Sequence, residues 1–202
     1  MDVNFVVRQI QIAHCRHGDD SEGLVNLKQI HVGLMPAGLV QQFFNGADGG
    51  GGKPGRFLGM GGMAAMGWSL GGAIGAKLGQ PDKLVVHLLG DASFGMVGME
   101  LETAVRMGLP TLTIVVNNEG TGGGLMGMDS PTGPPPDMAK LTGNWSKVAE
   151  GLGAYSERVE DPEEIGPALK RAIAATESGQ AALVEVMIKP MATPGLPDDW
   201  TI

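Results

Sequence analysis

Over the first 55 residues, hydrophobic and polar positions follow no regular pattern. From residue 57 onward the chain resolves into short apolar runs separated by helical spacings and turn signals. Leu84-Val85-Val86-His87-Leu88-Leu89 lies between the Gln80-Pro81-Asp82-Lys83 turn and Gly90, and its nearly all-apolar composition predicts a strand buried on both faces. Met99, Leu101, Ala104 and Val105 follow at helical spacing up to Met107, and Gly108-Leu109-Pro110 stops that helix. Thr111 to Val116 is a second, β-branched run that closes at Asn117. Strand, helix and strand at this length make a right-handed βαβ unit, so the two strands are predicted parallel, with Gly90 and Asn117 at one edge of the sheet.

The alternation continues to the end of the readable region. Lys147, Val148, Ala149 and Leu152 read as a helix, and Ala154 to Val159 as a strand. Asp161-Pro162-Glu163-Glu164 carries a cap, a proline at the first helical position and an acid two residues later, and opens a helix with Ile165, Ala168, Leu169, Ala172 and Ile173 on its apolar face. Ala182 to Ile188 is the last strand. This order predicts a three-layer α/β/α architecture with a mostly parallel sheet. Residues 119 to 138 form a Gly/Pro/Met loop too long for an ordinary connector, which suits a lid.

Upstream, residues 63 to 78 read as a glycine-rich helix. From Phe57 to Ala76 there are 20 uncharged residues, formally enough to span a membrane, but 7 of them are glycine and Lys77 follows directly. The segment is therefore read as a buried or interface helix. The spacing of Gly67, Gly71 and Gly75 gives it a flat face that is expected to be covered by protein.

Composition narrows the class. Glycine accounts for 34 of 202 residues, well above the usual ~7%, and aromatics for only 4%. With 43% apolar and 18% charged residues and no G-X-Y period, the chain is neither collagen-like nor disordered by charge. The 14 basic and 22 acidic residues give a net charge of −8, which argues against nucleic-acid or anionic-membrane partners, so any bound anion must be held locally. The single cysteine, Cys15, excludes an internal disulfide, and the start lacks a basic stretch followed by an apolar one, so a cytoplasmic location is expected. His14-Cys15-Arg16-His17 fits no zinc spacing. The glycine run before Lys53-Pro54 fails as a phosphate loop, because Pro54 stands where Ser or Thr would reach Mg²⁺.

Ligands of open α/β sheets sit at the carboxyl ends of the strands, here Gly90-Asp91-Ala92-Ser93 and Asn117-Asn118-Glu119-Gly120. Asp91 and Asn118 are far apart in sequence, yet adjacent parallel strands bring them within reach of one cation. A carboxylate, an amide oxygen and a nearby carbonyl are hard ligands suited to Mg²⁺, and they leave positions for phosphate oxygens. Gly90 is read as a tight turn, and a helix beginning near Ser93 as a source of free N–H groups for a diphosphate. The plainer alternative is that Asp91 is a helix cap, Asn117-Asn118 a turn and Glu119 a solvated loop residue.

With these residues in view, residues 57 to 190 resemble the C-terminal, diphosphate-binding domain of thiamine-diphosphate-dependent enzymes, in their acetolactate synthase-like branch. The family signature of Gly-Asp-Gly, 25 to 30 residues, then Asn-Asn is matched by Gly90-Asp91-Ala92 through Asn117-Asn118. Flanking segments agree, among them Met66 to Lys77, Glu100 to Val105 and Val159 to Glu164. The resemblance implies a thiamine diphosphate-binding fold over residues 56–190, preceded by a segment of unclear structure over 1–55 and followed by a tail over 191–202. It also implies Asp91 and Asn118 as side-chain ligands of Mg²⁺, with Gly120 adding its carbonyl. Gly90, Ala92 and Ser93 would contact the diphosphate, and Ala64 would contact the aminopyrimidine through its backbone. Met66 would lie under the cofactor and bend it, although core packing is the competing role for this methionine.

Two departures from the family pattern carry consequences. Ala92 replaces the second glycine of the signature, which would cost about 1 kcal/mol if that position required a positive φ. The catalytic glutamate of the family lies in a pyrimidine-binding domain, and 202 residues leave room for one of the three domains such enzymes have. The resemblance therefore implies a 2-keto acid decarboxylase or carboligase, expected to be oligomeric, of which this chain is either a separate subunit that needs a pyrimidine-binding domain from a partner or a fragment of a longer protein. The competing readings are a non-catalytic thiamine diphosphate-binding module and a nicotinamide-dependent oxidoreductase, the latter resting on Gly59-Met60-Gly61-Gly62-Met63-Ala64.

Overall fold

The computed structural model describes residues 29–33, 57–58, 65–120 and 140–188. These residues build a six-stranded sheet from β1 (Gln29–Gly33), β2 (Phe57–Leu58), β3 (Leu84–Gly90), β4 (Thr111–Asn117), β5 (Tyr155–Val159) and β6 (Ala182–Met187). The order across the sheet is β2-β1-β3-β4-β6-β5, and every neighbouring pair is parallel. The helices are α1 (Trp68–Gly79), α2 (Asp91–Val97), α3 (Leu101–Arg106), α4 (Trp145–Gly151) and α5 (Ile165–Glu177).

Alternation along the central strands divides the core into two. Val86 and Leu88 of β3, Leu112 and Ile114 of β4, and Val184 and Val186 of β6 pack on one face against Ile165, Leu169 and Ile173 of α5. Leu89, Val115 and Leu183 point to the opposite face, against Leu70 and Ile74 of α1, Phe94 of α2 and Leu101 of α3. Both faces are thus covered, which is why these strands read as continuous apolar runs. Each such buried Leu, Ile or Val side chain stabilises by roughly 1.5–3 kcal/mol relative to exposure. The three-layer α/β/α architecture is the one the sequence pattern predicts. Asp161 caps as expected: its Oδ1 accepts from Glu163 N at 2.9 Å, and Pro162–Glu164 makes the 3₁₀ turn that leads into α5.

Several details differ from the sequence reading. The segment before residue 55 contributes β1, which pairs with β3 from Gln29↔Leu84 to Gly33↔Leu88. Helix α1 begins at Trp68, later than the expected residue 63, because Gly67 caps it at φ 87°, a conformation that ends a right-handed helix. The segment expected as one helix near 99–107 is divided, with α2 ending at Val97, a 3₁₀ turn at Gly98–Glu100 and then α3. Gly98 permits this, since a Cβ there would lie 2.6 Å from the Phe94 ring. The glycine face of α1 is not covered by described residues: Gly71 and Gly75 are exposed, and nothing stands within 4 Å of a Cβ built on either. Among the described residues no helix is long and apolar enough to cross a membrane.

One polar group crosses the core between α1 and the sheet. His87, fully buried on β3, pairs through Nε2 with Ser69 Oγ of α1 at 2.7 Å and through Nδ1 with Thr113 Oγ1 of β4 at 3.4 Å. Burial pushes its imidazole down to about 3, so the ring is neutral in the folded chain. Unfolded, it titrates near 6.5, so this stability is fully present above that pH and is lost as pH falls toward 3. Between pH 7.5 and pH 5 the loss should reach about 2 kcal/mol. Urea denaturation at the two pH values should show His87→Gln losing less stability than the parent by about that amount. An unchanged pH slope would refute the assignment.

Candidate functional site

The ends of β3 and β4 set the site. Their register pairs Gly90 with Val116, so the chain leaves the sheet side by side at Asp91 and at Asn118. Asp91 is the first residue of α2, two residues before the expected start, and Gly90 rather than Asp91 occupies the cap position. Gly90 itself is extended (φ −83°), with no atom within 4 Å of a Cβ built there, so no tight turn requires glycine at this position within the chain. Ala92 is helical, and Glu119 is the one non-glycine residue at positive φ among the described residues, so the alanine in the signature carries no backbone penalty.

The Asp91 carboxylate is 2% exposed. Its Oδ1 accepts from Ala92 N at 2.9 Å and its Oδ2 from Gly120 N at 3.1 Å. Burial pushes its pKa up, and the backbone N–H groups of Ala92 and Gly120 pull against that shift. Opposite it, one terminal atom of the Asn118 amide lies 3.2 Å from Asp91 Oδ1 and 3.0 Å from Gly120 O. With nitrogen at that corner, the amide donates to both oxygens. With oxygen there, the Asn118 oxygen stands 3.2 Å from Asp91 Oδ1 and 3.0 Å from Gly120 O, close to the separation of about 3 Å between adjacent ligands on an octahedral cation with bonds of about 2.1 Å. Among the described residues no group of three or more His, Cys, Asp and Glu could hold a metal.

The loop is tied at its far side. Glu119 is exposed with φ 57°, Leu141 N donates to Glu119 O at 3.0 Å, and Gly120 bridges to Lys140. Met66 is 45% exposed in the turn before α1, so it does not pack in the core. Gly67 ties that turn to α2, because a Cβ on it would stand 2.6 Å from Val97 Cγ1. Ser93 is buried and Ala92 half-buried in the first turn of α2, while Ala64 and the Gly59–Ala64 fingerprint lie outside the described residues. Trp145 braces the other side of α2, edge-on to Phe94 with ring centroids 5.6 Å apart.

Residues 49–186 match the thiamine pyrophosphate enzyme family through its C-terminal TPP binding domain. The chain belongs to this family. The TPP-domain chain is 36% identical over 146 residues to a 2-hydroxyacyl-CoA lyase of Oryza sativa subsp. japonica, covering 69% of this chain and 25% of that protein. It is also 36% identical over 148 residues to a probable acetolactate synthase of Mycobacterium bovis, covering 68% of this chain and 25% of the relative. Among solved structures, benzoylformate decarboxylase from Polynucleobacter necessarius superposes with a TM-score of 0.74 at 20% identity, covering 96% of this chain and 34% of that one. The TPP-domain chain therefore shares that fold and spans about a quarter of the length of the curated relatives it matches.

Of the residues singled out in the sequence, Asp91, Asn118 and Gly120 are brought together, with Ala92 and Ser93 adjoining on α2. Buried Glu185 was missed, and so was its contact with Asn117, which the sequence reading named only as part of the Asn-Asn pair. The signal available was a glutamate inside the apolar run Ala182-Leu183-Val184-Glu185-Val186. Gly67 holds the TPP domain's Met66 turn, which yields a test by urea denaturation. Gly67→Ala should destabilise through the left-handed backbone, by about 1–2 kcal/mol, and through the Val97 contact, by about 1–3 kcal/mol. Adding Val97→Ala should relieve only the contact part. Full recovery in the double variant would mean the backbone conformation carries no cost.

Proposed function

We propose that this chain is the thiamine diphosphate-binding part of a 2-keto acid decarboxylase or carboligase of the acetolactate synthase-like type, with the cofactor held through Mg²⁺. The observation that carries this reading is the Asn118 amide end placed 3.2 Å from Asp91 Oδ1 and 3.0 Å from Gly120 O, close to the spacing of adjacent ligands on an octahedral cation. Asp91 supplies the charge, Asn118 a neutral side-chain oxygen and Gly120 a backbone oxygen. Three ligands leave the remaining positions for diphosphate oxygens and water, which is how an acidic chain can hold a polyanion locally.

Ala92 and Ser93, in the first turn of α2 beside Asp91, would contact the diphosphate, and the exposed Met66 would support the cofactor's rings. When bound, thiamine diphosphate supplies the stabilised carbanion chemistry that lets a 2-keto acid lose carbon dioxide. No residue of this chain is assigned as the activating acid. That glutamate is proposed to come from a pyrimidine-binding domain, on a partner chain or elsewhere in a larger assembly. The fact that the chain covers only a quarter of its relatives supports this division.

Calorimetry on the 202-residue chain tests the binding half of the reading. Thiamine diphosphate should bind only with Mg²⁺ present, and Asp91→Ala should weaken binding by at least about a hundredfold, beyond the range expected for an outer-shell partner. Equal binding by the variant would sink the metal assignment. The catalytic half is tested by carbon dioxide release from pyruvate, which should require addition of a pyrimidine-binding domain. Release by the chain alone would defeat the assignment of the glutamate to a partner.

A further inference from the structure

The Asp91, Asn118 and Gly120 cluster depends on a loop with an unfavourable backbone. Glu119 sits at φ 57°, in the left-handed region that L-residues seldom adopt, and it lies between two of the three oxygen donors. Asn117 holds it there, because Asn117 Oδ1 accepts from Glu119 N at 2.8 Å. The other end of the same amide is also engaged: Asn117 Nδ2 donates to Glu185 Oε1 at 2.7 Å. With both ends used, the Asn117 amide has one orientation.

Glu185 is fully buried on β6, where register sets it beside Val115 of β4. Its carboxylate accepts three hydrogen bonds: from Asn117 Nδ2, from Ser146 N of α4 at 3.0 Å on Oε2, and from Arg158 Nη1 of β5 at 3.2 Å on Oε1. All three partners donate. A glutamine would turn its own N–H groups toward at least one of them. A buried carboxylate is a costly way to fill a core position, and an apolar residue would serve packing as well. What the carboxylate supplies is a fixed acceptor that aims Asn117.

We infer that Glu185 and Asn117 are positioning residues that hold the Glu119 turn and thereby set the spacing of the Asp91, Asn118 and Gly120 oxygens. The link runs from β5 and α4 through Glu185 and Asn117 to Glu119, and then to Gly120, whose N–H donates to Asp91 Oδ2 at 3.1 Å. Neither side chain is among the three proposed ligands: the Asn117 amide is engaged by Glu119 N and Glu185. The inference rests on the reading of that oxygen cluster as a Mg²⁺ site, and it extends the site to a strand two places away from β3 in the sheet.

The test uses the full chain and two readouts. In the first, with no ligand, hydrogen exchange of the Glu119 and Gly120 amides is compared with that of β3 amides in the parent and in Glu185→Gln. Exchange at the two loop amides should rise by about tenfold or more, in line with loss of a hydrogen bond to a charged group, while β3 stays unchanged. Equal loop exchange, or a rise shared by β3, would overturn the inference, the latter because it marks a general loss of stability. In the second, Mg²⁺ is titrated in the presence of thiamine diphosphate, and Glu185→Gln should weaken Mg²⁺ binding by about tenfold, as expected for an outer-shell partner.

Reversing the link, Asn117→Asp with Glu185→Gln lets glutamine donate to the aspartate while the other aspartate oxygen still accepts from Glu119 N. That double variant should recover most of the lost Mg²⁺ affinity, and failure to exceed the single variant would overturn the inference. If Glu185→Gln does not fold, Asn117→Ala removes both hydrogen bonds of the Asn117 amide, to Glu119 N and to Glu185 Oε1, with the same expected and overturning outcomes. If the parent chain binds no thiamine diphosphate with Mg²⁺, the proposed function fails, and the ligand-free exchange still decides whether Glu185 holds the loop.

Discussion

The parallel pairing of β3 with β4 is the constraint on which the rest of this molecule depends. It places Gly90 opposite Val116, so two loops leave the sheet together and a carboxylate meets an amide across 3.2 Å. Parallel strands require a crossover, and α2 and α3 provide it on the face that also carries α1. The pairing is buried on both sides, by α5 below and by α1 to α3 above. The starting points of both loops are therefore fixed by the buried sheet.

The electrostatics follow from the same geometry. A chain with net charge −8 offers no general attraction to a polyanion. Asp91 is nevertheless kept at the sheet edge and drawn into N–H donors from Ala92 and Gly120. Those donors hold the carboxylate in place, and burial raises the cost of its charge without a cation beside it. The local charge of a divalent ion would offset that cost where the chain as a whole cannot.

Much of this was legible in the sequence because strands buried on both faces leave a plain trace. Leu84 to Leu89 and Thr111 to Val116 need no context to be read as strands, and their βαβ spacing fixes which ends converge. Strand β1 left no such trace: Gln29-Ile30-His31-Val32-Gly33 has two apolar residues in five, and its place beside β3 comes from pairing rather than pattern. The break at Gly98 was hidden for a different reason, since helical spacing on either side of it looks continuous until Phe94 is known to lie against it. Glu185 and Asn117 are 68 positions apart, and β6 enters the sheet out of sequence order between β4 and β5. Only the topology makes them neighbours.

The Asn118 amide has a further consequence. A carboxamide is the one common side chain whose end can present either a donor or an acceptor to the same point by a half-turn. Without a cation, the nitrogen at that corner donates to Asp91 Oδ1 and Gly120 O, and the empty pocket is internally satisfied. In the proposed loaded state, the half-turn would bring the oxygen inward as a ligand. An aspartate at this position would add charge to the loaded state but leave two carboxylates facing each other in the empty one. Under the proposed function, asparagine would let the empty and the loaded arrangement share one backbone without the penalty of an unbalanced anion.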